Sequence, residues 1–416
     1  MLKKIFTIFS FSTAGQVVSI LLSPLLTRLY VPEDFGAFSL FIATAAMFSI
    51  VAGLRYDAAI VLPKSDDDAI ALIIFCSLFS TLMSFLCLAV VILFRVFPGL
   101  DLFHGFKALA PFLPLYIWIV FQVQLMNQWL NRKQHYRKLG ISSFSTSLLT
   151  GGINIILGYY LFHAKGLVIS ACVAYGIIFC CFLPEYLRIF RRLWMARDSF
   201  YQRIRRVLKE YSEFPRINAP QGFLDTLHNS LFLYMTSTFF GNVTLGYLAL
   251  ARRIISTPIK PVVDSVSQVL FQETARRFNE GEDISPLIKK ISKLGTLAAA
   301  IGILTSFLIA PPLFVWVFGE AWYEAGVVAQ IISPWVFMAA VSAVLGYLPL
   351  IVKEQKTDVL LVVLLNVGTL LIIGAGGYFS LNEYTTLASV SAYQFIFHLL
   401  CVFWSIHISH KRMHHV

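Results

Sequence analysis

The sequence predicts an all-α integral membrane protein with about twelve transmembrane helices, arranged as two parallel six-helix halves around a central cavity. Three observations lead there: an apolar composition, a series of span-length apolar segments, and a lopsided distribution of basic residues. Of 416 residues, 58% are hydrophobic and 13% are charged, against about 25% charged in a soluble domain. Lipid offers a backbone amide no partner, so each segment must satisfy its own hydrogen bonds as a helix.

Apolar segments fall at 5–27, 35–55, 69–94, 108–130, 141–163, 166–187, 215–240, 243–272, 294–318, 326–351, 358–380 and 384–408. Each is near the roughly 20 residues that cross a bilayer. An even number of spans puts both termini on one side. With the termini cytoplasmic, the inside loops collect most of the 33 lysines and arginines. The outside loops hold only Arg28, Arg95, Lys107 and Lys165. This asymmetry follows the positive-inside rule and fixes the expected orientation. The net charge of +11 then lies on the face that meets anionic lipid, and no nucleic acid is needed to explain it.

The first span begins after Lys3 and Lys4. Its apolar run continues to Leu26, which reads as an uncleaved span rather than a short signal peptide. Residues 188–214 form a basic cytoplasmic connector between an N-terminal bundle, 1–187, and a C-terminal bundle, 215–416. Trp194, Phe200, Tyr201, Ile204, Val207 and Leu208 alternate there with arginines, the pattern of an amphipathic helix at a membrane surface. The halves also resemble each other. Asp34-Phe35-Gly36 aligns with Thr244-Leu245-Gly246, and Pro114 with Pro334 near the starts of the two fourth spans. With six spans each, the copies share one orientation, and such halves rock about a common site.

Polar groups at bilayer depth are costly and point to a wet cavity or a partner. On the eighth span Arg253, Ser256, Thr257, Lys260, Asp264, Ser267 and Gln268 share one helical face, with Arg252 about 100° away. Arg253 lies roughly 15 Å in from Val243, near mid-depth. A guanidinium there can hold a phosphate or pyrophosphate through paired hydrogen bonds; the competing reading pairs Arg253 or Lys260 with Asp264 for structure alone. The seventh span carries Asn218, Gln221, Asp225, His228 and Asn229 at spacings of three and four. Asp225 is either a site for a coupling proton or sodium ion or part of a helix-to-helix hydrogen-bonded seam. The stripes Ser12, Gln16, Ser19, Ser23, Thr27 and Ser143, Ser147, Thr150, Asn154 read as close helix packing.

Several chemistries lack their residues. There is no Walker loop for ATP, no Gly-x-Ser-x-Gly elbow and no pair of carboxylates on a sizeable outside loop. The six cysteines lie in apolar runs without metal-ligand spacing. His414 and His415 read as part of a basic tail, and no metal site is expected.

The run Arg28-Leu29-Tyr30-Val31-Pro32-Glu33-Asp34-Phe35-Gly36, with Leu245-Gly246-Tyr247, Ala251-Arg252-Arg253 through Pro258, and Ser267-Gln268-Val269-Leu270-Phe271, resembles the polysaccharide transporters or O-antigen flippases. These belong to the multidrug/oligosaccharidyl-lipid/polysaccharide exporter superfamily. The resemblance implies a flippase, not an enzyme. Such a protein moves an undecaprenyl-pyrophosphate-linked oligosaccharide from the cytoplasmic to the periplasmic leaflet of the bacterial inner membrane. In related lipid II flippases, cavity arginines on the first, second and eighth spans hold the pyrophosphate. By position these become Arg28, Arg55 and Arg252 or Arg253, with Lys260 beside them. Some relatives bind sodium between the seventh and eleventh spans, where Asp225 and Asn366 fall. No cofactor is implied beyond a coupling ion, H⁺ or Na⁺. The implied partners are the lipid-linked glycan, membrane lipids and other polysaccharide-assembly proteins. Two alternatives stay open: a drug/cation antiporter of the same superfamily, and a membrane oligosaccharide polymerase or ligase.

Overall fold

The computed structural model describes residues 2–96, 105–195 and 197–410, with the side chains of 2–13, 193–195 and 197–200 left out. Lys411, Arg412, His414 and His415 therefore lie outside the described residues, as do the side chains of Lys3, Lys4, Ser12, Trp194 and Phe200. The described chain is helical, without a strand. In order the helices are α1 (Leu2–Leu29), α2 (Pro32–Gly53), the one-turn α3 (Tyr56–Ala59), α4 (Asp66–Val96), α5 (Leu113–Arg132), α6 (Tyr136–Tyr159), α7 (His163–Met195) and α8 (Arg197–Glu210). They continue as α9 (219–240), α10 (242–279), α11 (Ser285–Phe318), α12 (Tyr323–Leu345), the short α13 (Leu348–Ile351), α14 (Gln355–Tyr378) and α15 (Glu383–His410).

Nine of the described helices are long and apolar enough to cross a membrane, which makes this a multi-pass membrane protein. The α1 helix adds a shorter apolar stretch, Ala14–Leu29. The α9–α10 segment is not among the nine; its serines, threonines, asparagines and arginines dilute the apolar character of every window.

Gly241 separates α9 from α10. Its φ of 86° and ψ of 166° belong to a region that only glycine occupies without strain. Ser237 Oγ donates to Asn242 Oδ1 across the break at 2.6 Å.

The chain divides into two compact units, Met1–Tyr234 and Met235–Val416, with the boundary inside α9. In the first unit α1 lies along α6, with Gly15 of α1 against Ser143 and Ser147 of α6 and Gly151 of α6 against Leu22 of α1, the close approach that small residues permit where packing has no hydrophobic drive. A Cβ on Gly15 would stand 3.1 Å from Ser147 Oγ, and one on Gly158 would collide with Tyr30 at 2.8 Å. Tyr30 Oη donates to the Asn154 carbonyl at 2.8 Å; burial and the nearby Asp34 push its hydroxyl up to about 12. Asp34, from the Pro-Glu-Asp-Phe-Gly run, is a cap. Its carboxylate accepts from Val31 N at 3.2 Å and from Ala164 N at 2.8 Å, tying the start of α2 to the first turn of α7.

One core of this unit gathers Ile70, Ile73, Phe121, Leu125, Trp129 and Tyr186. Gln122 is buried within α5 but satisfied. It accepts from Ser77 at 3.0 Å and Tyr186 at 2.9 Å, and donates to Ser80 at 3.1 Å.

The connector differs from its expected beginning. The α7 helix runs on to Met195, so Arg188, Arg191 and Arg192 extend a span rather than open a loop; arginine is a good helix former and nothing before Met195 stops the helix. Then α8 docks on the unit's own core. Val207 is fully buried, Tyr56 Oη donates to the Leu208 carbonyl at 3.0 Å, and Arg203 and Arg206 each reach an aspartate of Asp66-Asp67-Asp68 at 2.8 Å. That acidic triplet opens α4, where carboxylates favour the positive end of the helix. Arg132 and Lys133 also pair with Asp66.

In the second unit, α11, α12 and α15 pack together, with α14 against α15. Their core includes Ile288, Met338, Val341, Leu345, Val402 and Ile408.

Candidate functional site

The polar stripe of α10 borders a cavity of about 270 Å³ within the second unit. Residues four apart stack on one side of a helix, so Arg252, Ser256, Lys260 and Asp264 form successive rungs along its wall. The opposite wall is α12, which supplies Trp335, Ala339 and Ala343. Small residues on that helix leave the space, and the indole closes one end.

The Arg252 guanidinium carbon lies 5.3 Å from the centre of the Trp335 ring. At that range the cation is held by the negative face of the indole. Among the described residues no carboxylate lies within ion-pairing distance of Arg252, which is half-buried. Lys260 differs: its Nζ is 3.5 Å from Asp264 Oδ2, and both side chains are well exposed. A pair so exposed is weak, and it leaves the lysine able to exchange its partner for an anion. Thr257 Oγ1 donates to the Arg253 carbonyl at 2.6 Å. The Arg253 side chain is half-buried as well but does not line this cavity. The structure thus brings together Arg252, Ser256, Lys260 and Asp264, with Arg253 outside the group.

Arg55 belongs to the first unit. It follows α2 at φ 61°, directly after Leu54 at φ 47°. Consecutive left-handed residues that are not glycine cost about 1–3 kcal/mol each, and here they fold the chain sharply from α2 into α3. The Arg55 Nε and Nη2 atoms lie 3.0 Å from where a Cβ on Gly222 would stand, so a hydrogen at that position of α9 is what admits the guanidinium. Two residues on, Asp57 is buried and accepts from Gln124 Nε2 at 2.9 Å. Burial raises its carboxyl above the ordinary value, while the Arg55 charge and the Gln124 bond pull the other way.

Arg28 occupies the last turn of α1 and is exposed. Asp225 is exposed on α9, and its carbonyl accepts from Asn229 Nδ2 at 2.9 Å. Asn366 is half-buried on α14 in the second unit. Sequence reasoning missed Trp335. Its signal was available, since it follows the proline that marks the start of that span, but an aromatic within an apolar helix reads as core until its cationic neighbour is known.

The fold is similar to those of solved membrane transporters. The chain is similar to an inward-facing multidrug resistance MATE family transporter, at 16% identity over 98% of this chain and 96% of that one, with a TM-score of 0.61. It is similar to the lipid II flippase MurJ in an inward closed conformation, at 14% identity over 96% and 87%, TM-score 0.65. An outward-facing MATE transporter gives 14% identity over 98% and 96%, TM-score 0.53. At these identities the likeness is one of fold. No curated protein matches the sequence. The profile of the family described as "Polysaccharide biosynthesis protein" matches residues 25–327, and the chain belongs to that family, as the resemblance in its motifs implies.

Proposed function

We propose that this protein is a flippase for a polyprenyl-pyrophosphate-linked oligosaccharide, undecaprenyl in a bacterial inner membrane, serving surface polysaccharide synthesis of the O-antigen or capsule type. The unit passes from the cytoplasmic to the periplasmic leaflet by alternating access of two six-helix halves, 1–187 and 215–416, joined by the 188–214 connector. The twelve spans then comprise α1, α2, α4, α5, α6, α7, α9, α10, α11, α12, α14 and α15, with both termini cytoplasmic.

One observation carries this reading: a half-buried guanidinium, Arg252, stands on a cavity wall with an aromatic ring behind it and, among the described residues, no carboxylate to neutralise it. A buried cation without an anion is costly, and a diphosphate crossing the membrane supplies the missing charge through two parallel hydrogen bonds. Lys260 adds a second positive charge, released from Asp264 as the anion arrives. Arg253, Arg55 and Arg28 meet the headgroup at other stages of its passage. Asp225 and Asn366 are the sites proposed for a coupling ion, H⁺ or Na⁺.

Membership of a polysaccharide biosynthesis family supports the glycan. The drug/cation antiporter reading would place an organic cation against Arg252 and Lys260, where like charge repels it. A polymerase or ligase would place catalytic groups on a large outside loop.

The deciding experiment replaces Arg252 and Arg253 separately by alanine in the native host, with membrane insertion followed by immunoblot. Loss of surface polysaccharide in the Arg252 variant, with the protein still inserted, is the expected result. Full polysaccharide in both variants would remove the assignment.

A further inference from the structure

A cavity of about 370 Å³ lies within the first unit, where the end of α5 and the start of α6 meet the last turns of α7. Lys138 sits in the first turn of α6, and Glu185 and Arg188 towards the end of α7, so all three belong to one side of the membrane. Ile141, Ile178 and Phe182 give the cavity its apolar lining; roughly 15 Å along α7 separate Ile178 from Arg188. Ser142 also lines it and is 5% exposed. Its neighbours Ser143 and Ser147 each donate to the carbonyl one turn back, at 3.2 Å. Ser142 Oγ, by contrast, has no hydrogen-bond partner among the described residues, and a buried polar atom is normally satisfied.

The charges favour an anion. Lys138 is exposed and, among the described residues, pairs with no carboxylate. Arg188 Nη1 donates to Glu185 Oε2 at 2.7 Å, but the arginine side chain is 72% exposed, and a pair so exposed is weak. The α6 helix opens on Tyr136-Arg137-Lys138, with no acidic residue in its first turn and no side chain capping its amides. Cations at the positive end of a helix are repelled by it, and an anion seated there relieves both. Two cations and one carboxylate leave this end of the cavity with a single net positive charge, which matches one phosphodiester better than a diphosphate. We propose that the cavity binds an anionic phospholipid. Its phosphate lies between Lys138 and Arg188, Ser142 donates to an ester oxygen deeper in, and an acyl chain covers Ile141, Ile178 and Phe182.

Other occupants fit only part of this lining. A purely apolar molecule leaves Lys138 and Ser142 without a partner, and a free phosphate leaves the apolar wall uncovered. In the proposed orientation the cavity opens in the cytoplasmic leaflet, and basic pockets between spans on that side are where anionic headgroups bind. The α6 and α7 helices already pack on each other. Because Lys138 belongs to one and Arg188 to the other, the bound lipid bridges them at their ends. The site lies wholly within the N-terminal unit and shares no residue with the α10 cavity, so it stands apart from the pyrophosphate reading.

The test is native mass spectrometry of the full-length protein in detergent, titrated with dioleoyl phosphatidylglycerol or with dioleoyl phosphatidylcholine. The expected result is one phosphatidylglycerol per protein, held roughly thirtyfold more tightly than phosphatidylcholine. Lys138→Ala and Arg188→Ala are each expected to weaken it about fivefold, and together to bring it to the phosphatidylcholine level. Ser142→Ala, which removes only the hydroxyl, is expected to weaken it roughly twofold to tenfold. Equal affinity for the two lipids, or an undiminished hold in the double variant or in Ser142→Ala, overturns the proposal. So does an equal loss in a Lys289→Ala/Lys290→Ala control, whose lysines are exposed near the start of α11, because the effect is then one of diffuse charge. Displacement of phosphatidylglycerol by equimolar polyprenyl pyrophosphate, abolished in the double variant, would assign the site to the transported lipid and overturn the proposal as well. The readout is binding alone, so it stands whether or not the protein flips a glycan lipid.

Discussion

Replacing Arg252 tests the pyrophosphate reading most directly, because three substitutions make graded predictions. A charge-assisted hydrogen bond contributes about 1.5–3 kcal/mol. Arg252→Ala removes both arms of the fork and so costs about 3–6 kcal/mol, which at 1.4 kcal/mol per tenfold is roughly a hundredfold to ten-thousandfold in Kd. Arg252→Lys keeps the charge, but an ammonium is a point donor and loses the second arm. Its penalty is therefore about half, roughly tenfold to a hundredfold. Trp335→Leu leaves the guanidinium intact and removes the ring 5.3 Å behind it; a cation on an aromatic face is held by about 0.5–2 kcal/mol, so the weakening is roughly twofold to thirtyfold. The assay is direct binding of polyprenyl pyrophosphate to the protein in nanodiscs, with the neutral polyprenol as control. The reasoning fails if lysine is as damaging as alanine, or if polyprenol binding falls as far as that of the diphosphate.

Other perturbations follow from the fold. Gly241→Ala forces a Cβ into a conformation with φ 86° and is expected to lower stability by about 1–3 kcal/mol, read as a reduced Tm in detergent. Arg132 is nine-tenths buried and donates to Asp66 at 3.1 Å and to the Pro63 carbonyl at 2.6 Å. Its alanine variant is expected to lose about 1–3 kcal/mol, below the roughly 3–5 kcal/mol of a fully buried pair, because Asp66 is partly exposed and keeps Lys133. Asp57 gives a pH dependence. Burial raises its folded-state pKa, so the native state holds its proton more tightly and loses stability as pH climbs from 3.8 through the raised value. Asp57→Asn is accordingly expected to raise Tm near neutral pH and to match the unmutated protein below the ordinary carboxylate range. A lower Tm at neutral pH would show that the Arg55 and Gln124 contacts outweigh burial.

Helix positions were legible wherever an apolar run met an unambiguous stop. The second span, expected over 35–55, is observed as Pro32–Gly53, because Pro32 opens it and the left-handed Leu54 closes it. Ser143 and Ser147 of the fifth-span stripe meet Gly15 of the first span at the α1–α6 seam, since small residues at helical spacing permit close approach whatever the partner. Less was legible where the answer depended on a second helix. Arg252 and Arg253 are neighbours, yet only Arg252 lines the α10 cavity beside Trp335, and that depends on the placement of α12. The end of α7 was misplaced for another reason. Hydropathy ends with the apolar run, whereas a helix continues until something interrupts its backbone.

The aspartate triplet at the start of α4 has a bearing on how the protein is made. In the proposed orientation Arg132, Lys133, Arg203 and Arg206 are among the charges that keep their loops on the cytoplasmic side during insertion. In the finished molecule these same four groups are engaged by Asp66, Asp67 and Asp68. The emerging chain exposes them first as steering signals and later fastens them as rivets between the loop ends and α8. Topogenesis and final assembly thus draw on one set of side chains in succession, and a substitution there can disturb biogenesis without touching the transport path.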